Sequence, residues 1–140
     1  MIIQTNHIRE QLNKVWPDLK FVVLSDPTYF QPTLQQLSDK LNEFKELDYK
    51  YIPKLFECEE FALAFMTYCR STRAKEYDGS DPKFNWPLGI VVGTKFNGED
   101  IDHWVCICSV RDNGLLLIDP QDGAKWQPSG DKDNIYFLLM

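Results

Sequence analysis

Residues 100–120 read DIDHWVCICSVRDNGLLLIDP, and this stretch carries the strongest fold signal in the chain. Two runs of aliphatic and β-branched residues flank RDNG, a turn sequence typical of a β-hairpin. We therefore predict two antiparallel strands joined by this turn. His103 lies near the start of the first strand and Asp119 ends the second, so we expect both side chains at the open end of the hairpin, within reach of each other.

Further strands are predicted on both sides of the hairpin, and helices precede it. The strand patterns are KFVVLSD at 20–26, PLGIVVGTKF at 87–96 and NIYFLLM at 134–140. Apolar residues at helical spacing predict helices over 6–16, from a Thr33 cap onward and over about 56–70, followed by a polar loop over 70–86 with a turn at 78–82.

The second helix shows the clearest local signals. Thr33 and Gln36 have the spacing of a capping box. Leu34, Leu37, Leu41 and Phe44 form one apolar stripe, and the polar face is predicted to carry Gln35, Asp39, Lys40 and Glu43. Helices first and strands afterwards predict a single α+β domain over residues 1–140, in which the third helix packs on a C-terminal antiparallel sheet.

Composition excludes several classes of protein. The 140 residues are 44% hydrophobic and carry a formal net charge of −6, which argues against binding to duplex nucleic acid or to an anionic membrane surface. The sequence has neither a membrane-spanning run nor the pattern of a signal peptide, so a cytoplasmic location is expected. Four cysteines are too few for a disulfide scaffold, and we expect them to be reduced.

The stretch FECEEFALAF at 56–65 places Cys58 in the first helical turn among Glu57, Glu59 and Glu60. The helix dipole lowers the pKa of such a thiol, whereas the carboxylates raise it. A calcium ion held by the three glutamates and Asp102 would resolve this conflict. Favourable interaction of the glutamates with the helix dipole is sufficient to explain them, and solvated charges are favoured over a calcium site.

Two site chemistries compete for Cys58. In one, Cys58 is a nucleophile, His103 its base and Asp119 the group that orients the base, whereas His7 lies in a polar stretch and is the weaker base. In the other, Cys58, His103, Cys106 and Cys108 bind zinc. Regular strand alternation disfavours zinc, because His103 would face away from Cys106 and Cys108, which share a face with Trp104.

The stretches FECEEFALAF, DHWVCICSV and LLLIDPQDG together resemble the papain-like and transglutaminase-like cysteine-enzyme superfamily. The likeness is greatest to the C-terminal, calcium-dependent cysteine-protease domain of a mushroom agglutinin and to small phage and bacterial proteins, whose upstream region is similar to SDPTYFQP at 25–32. The resemblance implies the roles given above for Cys58, His103 and Asp119. The chain departs from the pattern at Trp104, where a small residue is common, and at Phe56, where many members have glycine.

These observations predict a thiol hydrolase. It would be a peptidase or amidase that acts on a peptide or amide substrate through an acyl-enzyme. The Cys58 amide would donate to the oxyanion, and the substrate contacts would include Trp86, Trp104 and Gln121. An amine acceptor would make the same site a transferase. The alternative is a catalytically inactive domain of the same fold that binds a partner in a groove lined by Trp86, Trp104 and Trp126, and a viral antagonist or structural module is a third possibility.

Overall fold

A computed structural model describes residues 1–80 and 82–140 of the chain. Its helices are α1 (Thr5–Val15), α2 (Leu34–Glu46) and α3 (Cys58–Glu76). Its strands are β1 (Ile2–Gln4), β2 (Phe21–Val23), β3 (Thr28–Phe30), β4 (Leu88–Phe96), β5 (Glu99–Val110), β6 (Gly114–Asp119), β7 (Ala124–Trp126) and β8 (Asn134–Leu139). Within the described residues, no helix combines the length and the apolar character needed to cross a membrane.

Six strands form the main sheet in the order β2-β8-β4-β5-β6-β7, and β1 pairs with β3 in a small separate sheet. The predicted hairpin is confirmed, with Val110 opposite Gly114 and Cys106 opposite Ile118. The α+β class is also confirmed, but the sheet is mixed rather than purely antiparallel. The reason is that β2 runs parallel to the C-terminal strand β8, a long-range pairing that local patterns do not reveal.

The central part of the main sheet is covered on both faces. On β5, Cys106 and Cys108 pack into a core with α2 and α3, whereas Val105 and Ile107 pack into a second core with α1. A strand that is covered on both sides reads as a continuous apolar run, as this one does. The capping box of α2 is confirmed: Thr33 Oγ1 accepts a hydrogen bond from the Gln36 amide at 3.1 Å and Gln36 Oε1 accepts one from the Thr33 amide at 2.9 Å.

Helix α3 is longer than predicted. It continues to Glu76, so residues 71–76 are helical rather than part of a polar loop. The Arg73 guanidinium donates to the carbonyl oxygens of Phe84 at 2.7 Å and Pro82 at 2.9 Å, which ties the last helical turns to the segment that follows. The turn predicted at 78–82 includes residue 81, which lies outside the described residues.

The C-terminal residue Met140 is fully buried and held by the main chain. Its amide donates to Val23 O at 2.8 Å, and its carbonyl accepts from the Ser25 amide at 2.7 Å and from the Tyr29 hydroxyl at 3.1 Å. A Cβ atom on Gly89 would lie 1.9 Å from Leu139 O and 2.6 Å from Met140 Cα. Only glycine therefore lets β4 approach the end of β8 this closely.

We expect Gly89→Ala to destabilise the fold by about 3 kcal/mol or more, because the added methyl group meets main-chain atoms that cannot move aside independently. Urea denaturation measures this loss. Gly79→Ala is the control: its Cβ meets no atom within 4 Å and costs only the strain of φ +91°, about 1 kcal/mol. Equal losses in the two variants would refute the close-approach explanation.

Candidate functional site

His103 and Asp119 form the pair that the sequence predicted. His103 Nε2 lies 3.0 Å from Asp119 Oδ2, and both side chains are largely buried. Asp119 Oδ1 accepts a hydrogen bond from the Gln121 amide at 3.0 Å, which fixes the carboxylate. The Phe96 ring packs edge-on against the imidazole at a centroid distance of 6.2 Å. Gln121 thus contributes its main chain to this cluster.

Cys58 is the first residue of α3, and its thiol interacts with a carboxylate. Cys58 Sγ donates to Glu59 Oε2 at 3.4 Å, and among the described residues no hydrogen bond joins it to His103. Burial raises the pKa of the Cys58 thiol above its ordinary value, and the bond to Glu59 raises it further. The main-chain amides of Trp104 and Glu59 lower this pKa but do not outweigh the other effects. The thiol is therefore protonated at neutral pH.

The glutamates around Cys58 have local roles at the helix N-terminus. The Glu57 side chain and the Glu60 side chain form a reciprocal capping box, with Glu60 Oε2 accepting from the Glu57 amide at 2.8 Å. Glu57 Oε1 also accepts from the Lys54 amide at 3.0 Å. In the described part of the chain, no group of three or more His, Cys, Asp or Glu side chains is placed to hold a metal ion. Calcium binding by Glu57, Glu59, Glu60 and Asp102 stays a prediction, and the described residues do not bring these side chains together as a cluster of metal ligands.

The zinc alternative fails on strand geometry. Cys106 and Cys108 are fully buried in the core beneath α2 and α3, whereas His103 bonds to Asp119. Burial raises the pKa of both thiols well above the ordinary value. The groove predicted from three tryptophans is also absent: Trp104 packs with the core under α2 and α3, and Trp126 packs with the core on the opposite face of the sheet.

A polar concavity lies between α2, the last turns of α3 and the segment that follows α3. It encloses about 330 Å³. Its lining includes the side chains of Gln36, Asp39, Glu76, Asp78, Ser80 and Trp86. We refer to this cavity as the α2–α3 pocket. It combines amide, carboxylate, hydroxyl and indole groups, which is a set suited to a polar ligand with several hydroxyl groups.

Lys40 organises the α2–α3 pocket. Its Nζ lies 2.8 Å from Glu76 Oε2 and 3.2 Å from Glu43 Oε2, so that it links α2 to the end of α3. Burial alone would lower the pKa of Lys40, but the hydrogen bonds and charges of Glu76 and Glu43 raise it above the ordinary value. The sequence placed Lys40 on the solvated face of α2, and that prediction is wrong: the residue is 9% exposed.

Trp86 lines the same pocket while most of its ring is buried in the core. It is 8% exposed, and its indole Nε1 is a buried donor without a hydrogen-bond partner among the described residues. Buried donors are usually satisfied by protein or by water. The sequence predicted Trp86 as a substrate contact of the Cys58 site. Trp86 lines a pocket, but Cys58, His103 and Asp119 are not among the residues that line it.

No protein-family model matches the sequence, and no curated protein matches it at a significant level. Solved structures do share its fold. One, described as "PSL1a-E64 complex", matches with a TM-score of 0.81 at 20% identity, over 99% of this chain and 51% of the other chain. Another is Polyporus squamosus lectin bound to the human-type influenza-binding epitope Neu5Acα2-6Galβ1-4GlcNAc, with a TM-score of 0.78 at 20% identity, over 99% of this chain and 49% of that one.

The chain therefore spans about half the length of these structures, and at 20% identity the likeness establishes the fold alone. It corrects the resemblance drawn from the sequence, because one of these neighbours is a lectin bound to a glycan and not a papain-like or transglutaminase-like enzyme. The thiol hydrolase function and the peptide or amide substrate are corrected with it, and the alternative of a binding module accords better with these neighbours. The separate roles of Cys58, His103 and Asp119 stay predictions.

The state of the thiol can be measured directly. We expect Cys58 to be alkylated slowly by iodoacetamide at pH 7 and faster only as the pH rises above 9.0, the ordinary value, because only the thiolate reacts. Glu59→Gln removes the negative charge of the acceptor, so it should lower the pKa of the Cys58 thiol and accelerate the reaction. Glu10→Gln in α1 is the matched control. Fast alkylation at neutral pH that His103→Ala abolishes would contradict the protonated thiol and establish a reactive Cys58–His103 pair.

Proposed function

We propose that this chain is a carbohydrate-binding module and that the α2–α3 pocket is its ligand site. The observation that carries the proposal is the shared fold with a structure described as a lectin holding a glycan. That glycan belongs to a chain about twice as long, so the proposal for this chain rests equally on what its own pocket offers.

The pocket presents hydrogen-bonding groups of the kind that sugar hydroxyls need. A hydroxyl both donates and accepts, so a site that recognises it pairs acceptors with donors. The carboxylates of Asp39 and Asp78 supply acceptors, the side-chain NH2 of Gln36 supplies a donor while its oxygen caps α2, and Trp86 adds an apolar ring to the lining. An apolar surface with a few placed polar groups is the usual composition of a small-ligand site.

The charges of the pocket favour a neutral sugar. Among the described residues, its lining includes the carboxylates of Asp39, Glu43, Glu76 and Asp78 and the cations of Lys40 and Arg73. Lys40 is already paired with Glu43 and Glu76, and Arg73 is bonded to main-chain oxygens. The remaining negative charge repels a ligand carboxylate. A neutral glycan is therefore the better ligand than one that ends in sialic acid.

Isothermal titration of the chain with neutral Galβ1-4GlcNAc and with Neu5Acα2-6Galβ1-4GlcNAc tests the proposal. We expect the neutral glycan to bind and the sialylated one to bind more weakly. Asp39→Ala removes one exposed acceptor from the pocket and should weaken binding about tenfold, the usual effect of losing a hydrogen bond to a charged group.

Glu46→Ala is the matched control, since it removes an exposed carboxylate from the same helix outside the pocket. Absence of binding by either glycan would overturn the proposed function. Tighter binding of the sialylated glycan would overturn the charge argument. Equal effects of Asp39→Ala and Glu46→Ala would show that the glycan binds outside the pocket.

A further inference from the structure

One ammonium group in the α2–α3 pocket serves two carboxylates. Lys40 Nζ lies 3.2 Å from Glu43 Oε2 and 2.8 Å from Glu76 Oε2. The three side chains together keep one net negative charge, because a single cation cannot neutralise two carboxylates. The network that joins α2 to α3 is therefore negative as a whole.

Two further carboxylates of the pocket have hydrogen-bond partners that carry no charge. Asp39 Oδ1 accepts from the Gln35 side chain at 2.7 Å, and Asp78 Oδ1 accepts from the Ser80 amide at 2.9 Å. The hydrogen bonds from the Ser80 side chain and main chain lower the pKa of Asp78 below its ordinary value, so this carboxylate stays ionised. Across the described residues, neither aspartate takes part in an ion pair. The two aspartates add negative charge that no neighbouring cation balances.

The other cation of the lining is engaged with the segment that follows α3. The Arg73 guanidinium donates to the carbonyl oxygens of Phe84 at 2.7 Å and Pro82 at 2.9 Å. It also lies 5.1 Å from the centroid of the Phe30 ring. Even with Arg73 included, carboxylates outnumber cations in the described lining of the pocket.

Trp86 is a second and independent observation that points to a ligand. The residue is 8% exposed, and its Nε1 is a buried donor without an acceptor among the described residues. Such donors are usually satisfied by protein or by water. The indole ring, which lines the pocket, is also the aromatic surface that attracts cations most strongly. The pocket thus combines unbalanced carboxylates with an indole that has an unmet hydrogen bond.

We infer that the α2–α3 pocket prefers an amino sugar, whose ammonium group is attracted by Asp39 and Asp78. This inference rests on the proposed function and names the class of sugar. A carboxylate only accepts hydrogen bonds and an ammonium group only donates them, so the two are complementary, whereas a sugar hydroxyl also brings an acceptor that a carboxylate cannot use. The hydroxyl oxygens of the sugar supply acceptors for the donors of the pocket.

A metal ion is not the cation that this charge attracts. The described residues contain no group of three or more His, Cys, Asp or Glu side chains placed to hold one. An ammonium group makes no such demand on coordination geometry, because each of its three hydrogens needs only one acceptor.

The test compares two disaccharides that differ at one group. Galβ1-4Glc carries a hydroxyl at C2 of its second sugar, and Galβ1-4GlcN carries an amine there. At pH 6 this amine is protonated, since its pKa lies near that of an α-amino group, about 7.7. In isothermal titrations at about 0.01 M salt, we expect Galβ1-4GlcN to bind about fivefold more tightly, the effect of one or two exposed ion pairs. The advantage should disappear at about 1 M salt, where these charges are screened.

Variants assign the preference to the pocket. Asp39→Asn and Asp78→Asn keep the size of each side chain and remove its charge. We expect each of them to lower the ratio of the two affinities by about twofold and the double variant to bring the ratio close to one. Glu46→Gln, on α2 outside the pocket, is the matched control and should leave the ratio unchanged. A thermal melt of each variant verifies that it is folded.

Three outcomes count against the inference. Equal affinities of the wild-type chain for Galβ1-4Glc and Galβ1-4GlcN, or a preference that survives in the double variant, would overturn it and leave the proposed function intact. A ratio that falls as much in Glu46→Gln would assign the preference to the charge of the whole chain, and would overturn the inference as well. Failure of Galβ1-4Glc, Galβ1-4GlcN and Galβ1-4GlcNAc to bind would overturn both the inference and the proposed function.

Discussion

Burial of β5 on both faces is the constraint on which the rest of the structure depends. Cys106 and Cys108 fill one core and Val105 and Ile107 the other, so a shift of one residue in register would exchange the two sets and disrupt both cores. This fixed register brings α2 and α3 together on one face of the sheet and α1 on the other. The α2–α3 pocket lies along the seam between α2 and α3, so its position follows from the sheet beneath.

The seam itself is held by a polar network. Lys40 is nearly buried, and a buried ammonium group is tolerated only where carboxylates surround it. Glu43 and Glu76 satisfy this need from two different helices, and Tyr68 completes the network through Glu43. The groups that hold the helices together are therefore no longer available to bind a charged ligand. What remains for a ligand is the exposed part of the Asp39 and Asp78 carboxylates, which already accept hydrogen bonds from the Gln35 side chain and from the Ser80 amide, respectively.

Local signals predicted the parts of the structure that local interactions decide. The RDNG turn predicted the hairpin, and the hairpin predicted that His103 and Asp119 lie together. The Thr33–Gln36 spacing predicted the start of α2. The parallel pairing of β2 with β8 and the burial of Lys40 depend on segments far apart in sequence, so no local pattern could reveal them. The pKa of Cys58 could be judged only as a conflict between dipole and carboxylates, and burial decides it. The correction of function came from the solved structures that share the fold, which no local pattern in the sequence could supply.

The most direct test of the central claim, that a neutral glycan binds in the α2–α3 pocket, is a two-dimensional NMR titration that follows the four tryptophan indole N–H resonances, with Trp86→Phe used for assignment. On addition of Galβ1-4GlcNAc, the account predicts that the Trp86 resonance moves while those of Trp16 and Trp126, which pack on the opposite face of the sheet, stay fixed. Resonances that all stay fixed, or a change confined to Trp104 beside Cys58 and His103, would contradict it.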